Sequence, residues 1–229
     1  MVYICYHLTC NLFRYVFNNY YYTLKMTVDN SELIRNKLSF KENGDTFYFV
    51  QILKRRKENP EMDTGVIVID SFYINSLESF DKKLPHIKEL CEKHNARAYI
   101  NMNELSHTKV TYEIVSLLME GLKKNNSRVW MGVGNKACGK VHASEEKLWL
   151  LDLDGDDVVK ADEIEKYINS LQPFVDKETG EPITNKVYMR VPTKNGLHML
   201  VRTFDKSKFN ILFPNIEIHK DNPTILYVA

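Results

Sequence analysis

The sequence predicts an α+β fold, with an N-terminal α/β unit packed against a layer in the order β-α-β-β-(α)-β. Three observations carry that expectation. Runs rich in β-branched and aromatic residues alternate with helix-spaced stretches over residues 46–131. Leu148 to Leu153 is apolar on both parities and then stops in carboxylates, as a strand buried on both faces does where it leaves a sheet. Beyond it come one helix-spaced stretch, a hairpin signal at Asn195-Gly196 and two further strand-like runs.

At 229 residues the chain has room for one well-filled domain or two small ones. Thirty-one basic side chains face 30 acidic ones, a net charge of +1, so any surface for a polyanion must be local. Cys5, Cys10, Cys91 and Cys138 form no Cys-x-x-Cys pair, which speaks against a zinc module and a disulfide framework and for a reducing, intracellular, cytoplasmic setting.

Residues 1–29 read as an N-terminal extension. Their first 25 positions are crowded with tyrosine and hold no acidic residue. His7, Asn11, Arg14, Asn18 and Asn19 interrupt the apolar residues too often for a membrane span, and no signal-peptide cleavage pattern follows. No membrane partner is expected.

Residues 30–143 form the expected α/β subdomain. An N-cap and helical spacing predict a short helix over 31–38, and aromatic and β-branched content predicts a strand over 46–53, closed by the basic run Lys54-Arg55-Arg56-Lys57. That run suits phosphate contacts, though such runs are commonly solvated faces. A second strand is expected over 65–74, a helix over 76–95, a strand over 96–102 and a helix over 107–124. A short strand at 128–131 then leads into the glycine-bearing loop 132–139.

Residues 144–229 form the second subdomain. After the strand ending at Asp154, a helix is expected over 159–172, ended by Pro173 and a polar loop. Strands over 186–191 and 197–203 flank the hairpin turn, 204–213 leaves room for a short helix, and strands follow over 215–219 and 224–228. The element order is that of a ferredoxin-like or RRM-like layer.

On this layer the residues that carry chemistry gather. Asp152 and Asp154 are two apart on a strand, so they share a face with Cα atoms roughly 6 to 7 Å apart, a spacing suited to divalent cations. His198 shares a strand face with Gly196 and Arg202, just after a turn bearing Lys194, and these suit the phosphates of a nucleotide. Glu217 lies between Ile216 and Ile218 and supplies a third carboxylate. Each has a plain structural reading as well: an acidic turn after a strand, a satisfied core histidine, the polar half of a two-faced strand.

Taken in order, an Asp-x-Asp ending an apolar strand, Gly196-Leu197-His198 in a hairpin strand and Ile216-Glu217-Ile218 on a later strand, the set is similar to the three motifs of the archaeo-eukaryotic primase superfamily. The resemblance covers about residues 45–229 and implies a primase-polymerase-type nucleotidyltransferase of DNA replication. Its implied partners are nucleoside triphosphates and a DNA or RNA template, and its cofactor Mg²⁺ or Mn²⁺. Carried over residue by residue, it makes Asp152, Asp154 and Glu217 metal ligands and His198 the phosphate ligand, with Lys194, Arg190 and Arg202 as electrostatic helpers. Glu217 stands where Asp is common in the family, and the family's frequent zinc-binding element is missing. A replication helicase is expected only as a separate partner.

Three other readings stay open. One is a catalytically silent nucleic-acid-binding protein of the same fold. Asp152-x-Asp154-Gly155-Asp156 with Val159 and Glu163 mimics an EF-hand calcium loop, but Asp157 occupies the turn-making glycine position. Asp152-Leu153-Asp154-Gly155 also resembles the opening motif of haloacid-dehalogenase-type phosphatases, which alternating βα units would have to follow.

Overall fold

The computed structural model describes residues 27–40, 44–141, 147–176, 179–220 and 223–229. Most of the N-terminal extension, with Cys5 and Cys10, lies outside the described residues. The fold is mixed α+β, built on two sheets that are antiparallel throughout.

The chain opens with a two-residue strand β1 (Val28–Asp29) and a short helix α1 (Ser31–Arg35). Then come β2 (Thr46–Arg55), β3 (Val66–Ile74), α2 (Leu77–His94), β4 (Arg97–Ser106), α3 (His107–Lys123) and α4 (Val133–Cys138). Ser76 and Ser106 start α2 and α3 by accepting hydrogen bonds from the amides of Ser79 and Lys109. The second half holds β5 (Trp149–Asp154), a 3₁₀ turn at Gly155–Asp157, α5 (Ala161–Asn169), β6 (Val187–Pro192), β7 (Gly196–Val201), α6 (Lys206–Leu212), β8 (Glu217–His219) and β9 (Thr224–Val228).

The five-stranded sheet runs β1-β9-β4-β2-β3 and the four-stranded sheet β6-β7-β5-β8. Three expectations are corrected here, the first being the loop over 132–139, which holds the helix α4. The last strand does not extend the second layer: β9 pairs with β4 and β1, so the first sheet is completed by the end of the chain. Residues 128–131 form no strand. There the amides of Val129 and Met131 bond the carbonyls of Asn126 and Arg128, and these local turns use up groups a ladder would need.

Alternation on the strands divides the core. Leu151, Leu153, Met199 and Val201 face α5 and α6 and pack with Ile164, Ile168 and Phe209. On the opposite face of the same sheet, Met189, Val191 and Leu200 join Tyr48, Val50, Ile52, Ile100 and Leu226 of the first sheet and Ile87 of α2. Phe47, Phe49 and Leu105 on the other face of the first sheet are covered by Val110 of α3 and Ala137 of α4. Hydrogen bonds pin the two sheets together. The buried Asn30 side-chain amide donates to the carbonyls of Pro192 (2.9 Å) and Ile225 (3.0 Å). Asn103 exchanges two hydrogen bonds with the backbone of Leu148, at 2.8 and 3.0 Å. Among the described residues no helix is long and apolar enough to cross a membrane.

Asn30→Ala leaves the buried carbonyl of Ile225 and the partly buried one of Pro192 without their donor, which costs about 1–3 kcal/mol of stability. Urea denaturation of parent and variant is expected to show a lower midpoint with an unchanged slope.

Candidate functional site

The site begins with the parity of β5. Leu151 and Leu153 are drawn into the helix-side core, so Asp152 and Asp154 emerge on the face turned to the first sheet. Directly opposed residues of an antiparallel ladder share a face. Asp152 lies opposite His198 on β7 and Glu217 on β8, and Asp154 lies opposite Gly196. The acids, the histidine and the glycine singled out in the sequence therefore occupy one side of the sheet.

Gly196 is required for a reason the sequence did not suggest. A Cβ there would stand 2.1 Å from the carbonyl oxygen of Leu153 and 2.6 Å from Oδ1 of Asp154, so the space left by the missing side chain is filled by β5 itself. The His198 ring is buried, its side chain 11% exposed, with Nδ1 3.0 Å from Oγ1 of Thr224 and Nε2 3.6 Å from Oδ1 of Asp152. Burial holds its pKa below the ordinary histidine value. The negative fields of Asp152 and Asp154 oppose that shift, while His219 and Arg97 reinforce it.

Asp152, Asp154 and His198 line a cleft of about 260 Å³ between the two sheets. Thr193, Lys194 and Asn195 of the β6–β7 turn close one side, and His219 of β8 another. The first sheet contributes Arg55, Arg97 and Tyr99, with Lys57 from the turn after β2. Arg55 donates to the Tyr99 hydroxyl at 3.1 Å, and Arg97 pairs with Glu58 at 2.6 Å. Burial opposes the charge on Arg55, but the bond to Tyr99 and the fields of Glu58 and Asp152 hold its pKa above the ordinary value. A second hollow of about 320 Å³ shares Lys57, Arg97, Lys194 and Asn195 with the cleft. Acids from one sheet thus face cations from the other.

Not every expected residue arrives. Glu217 shares the face, yet its side chain is 75% exposed, pairs with His219 at 3.2 Å and is not among the residues lining the cleft. Among the described residues no group of three or more His, Cys, Asp or Glu is placed to hold a metal ion. Arg190 lies opposite Met199, whose side chain is in the helix-side core, and its guanidinium pairs with Asp162 (2.7 Å) and Glu165 of α5. Strand parity sends it away from the cleft, while its neighbour Val191 faces His198. Arg202 follows β7 and stands 3.9 Å from Asp176. Neither arginine lines the cleft, which corrects the expectation that they assist there.

The residues missed are Arg97, Tyr99 and Thr224. Arg97 and Thr224 begin strands, and nothing local in the sequence marks either as facing the second sheet. Arg55 and Lys57 belong to the basic run that the sequence did mark. No protein-family model matches this chain, nor does any curated protein or solved structure.

Two outcomes follow from this geometry. Gly196→Ala forces a methyl into the β5 backbone and is expected to cost about 1–3 kcal/mol in chemical denaturation. For His198, the unfolded imidazole takes up its proton near pH 6.5 and the folded one only at lower pH. The unfolded state therefore binds more protons between those two values, so stability is full above pH 6.5 and falls as the pH drops through it. An NMR titration of the ring checks the direction, and Asp152→Asn, by removing a stabilising negative field, moves the midpoint lower still.

Proposed function

We propose that the chain is a primase-polymerase-type nucleotidyltransferase, which joins a nucleotide to a 3′-hydroxyl on a nucleic-acid template. The observation that carries the reading is the cleft itself, where Asp152 and Asp154 stand on one sheet face beside His198, opposite Arg55, Arg97 and Lys57. Support also comes from the second sheet. Its elements β5-α5-β6-β7-α6-β8 follow β-α-β-β-α-β, and its strand order places the first strand between the third and fourth. That is the layout expected of an RRM-like layer bearing primase motifs.

The donor set suits Mg²⁺ or Mn²⁺, hard cations that are commonly bound by one or two carboxylates plus substrate phosphates. Asp152 and Asp154 are the residues that would hold it. When bound, the cation lowers the pKa of the attacking hydroxyl and neutralises charge on the departing pyrophosphate. The rest is work for the protein. His198 offers a ring nitrogen to a phosphate oxygen, and Lys194, Arg55 and Arg97 balance the remaining negative charge. Lys57, Arg97 and Lys194 continue into the adjoining hollow, where a strand's phosphate backbone finds a basic floor.

A second reading has one observation in its favour. Glu217, the third carboxylate of the primase pattern, is held at the rim by His219. A protein that binds nucleic acid without turnover needs no third acid, and the same basic wall would serve it.

Incorporation of labelled nucleotides on primed and unprimed templates with Mg²⁺ or Mn²⁺ separates the two. The parent is expected to extend product, and Asp152→Ala with Asp154→Ala to abolish extension with the fold retained, since losing two mutually repelling carboxylates seldom destabilises a site. Template binding by a parent that makes no product would select the silent reading.

A further inference from the structure

His198 sits on β7 of the second sheet, but its inner nitrogen is held by a residue from the first. Thr224 is the opening residue of β9, is fully buried, and lies opposite Ile100 in the β4–β9 ladder. Its Oγ1 is 3.0 Å from Nδ1 of His198, and the outer nitrogen Nε2 is 3.6 Å from the Asp152 carboxylate. A neutral imidazole carries one N–H and one lone pair, and the partners at its two ends decide which nitrogen has which. Were the proton on Nδ1, a lone pair on Nε2 would face a carboxylate oxygen, two acceptors against each other. With the proton on Nε2, that nitrogen faces Asp152 as a donor, and Nδ1 accepts from the Thr224 hydroxyl. Both ends then agree.

We propose that Thr224 is a positioning residue for the cleft: its hydroxyl donates to Nδ1 and so keeps the Nε2–H form of His198 aimed between the two sheets. Resting on the nucleotidyltransferase reading, this deepens it. A neutral donor at Nε2 bonds a phosphate oxygen without requiring the ring to be protonated, which its burial disfavours. It also makes phosphate recognition depend on both sheets, because the ring belongs to one and its orientation to the other.

The test is ¹⁵N NMR of the imidazole in the full chain, recorded well above its titration range, where the two tautomers give distinct nitrogen shifts. The parent is expected to show Nε2 protonated and Nδ1 unprotonated. Thr224→Val, which keeps the shape and removes the hydroxyl, is expected to bring Nδ1–H into the population. Thr224→Ser is expected to restore the parent spectrum. In steady-state incorporation the valine variant should raise KM for the nucleotide by about tenfold, as loss of one oriented hydrogen bond to a charged group does, with kcat changed far less. A parent ring protonated on Nδ1 overturns the proposal even if the valine variant does not fold. So does a folded Thr224→Val protein with the parent's nitrogen shifts. A tautomer shift in a protein whose parent incorporates no nucleotide leaves Thr224 in its role and removes the enzymatic reading instead.

Discussion

The return of β9 to the first sheet is the constraint on which the rest depends. Had the last strand continued the second sheet beside β8, the chain would pass between the two sheets only once, on its way from α4 to β5. Instead the chain leaves β4 by way of α3 and α4, builds the whole four-stranded layer, and comes back to lie against β4 and β1. The second layer is therefore an insertion between neighbours of the first, held at both ends. Asn30, bridging Pro192 of one sheet and Ile225 of the other, and Asn103, bonded to Leu148, hold the same joint at the entrances.

That joint explains the division of the interface. Where Met189, Val191 and Leu200 meet Val50, Ile52 and Leu226, the sheets exclude water and contribute stability. Toward the C-terminal end of β5 the apolar residues give way to Asp152 and Asp154, with Arg55 and Arg97 across the gap, and the contact opens into a cleft. Charges gathered this way carry a desolvation penalty that only a pairing or a ligand offsets. Glu58 with Arg97 and Tyr99 with Arg55 supply part of that compensation within the protein.

Much of this was legible from local pattern. The apolar run ending in Asp152 and Asp154 identified β5, the Asn195-Gly196 step identified the β6–β7 hairpin, and strict alternation put His198 and Gly196 on one face. Register sets Asp152 between His198 and Glu217, although the Glu217 side chain does not reach the cleft. Arg190 was misjudged because membership in the hairpin says nothing about parity: the next residue, Val191, shares the face of His198, and Arg190 faces α5. The turns at 128–131 were misjudged because four residues of strand-like composition can satisfy their own backbone bonds locally.

By itself the sequence determined most of the secondary elements, the parity of β5 and β7 and the acidic end of β5, because these depend on residues two to four positions apart, whose periodicity is written in the chain. Only the tertiary structure decided that β9 joins the first sheet, that Thr224 meets His198, and that Arg97 and Tyr99 wall the cleft. The contact of Thr224 with His198 spans 26 residues, and a strand with two unpaired edges carries no local record of which neighbour it will take.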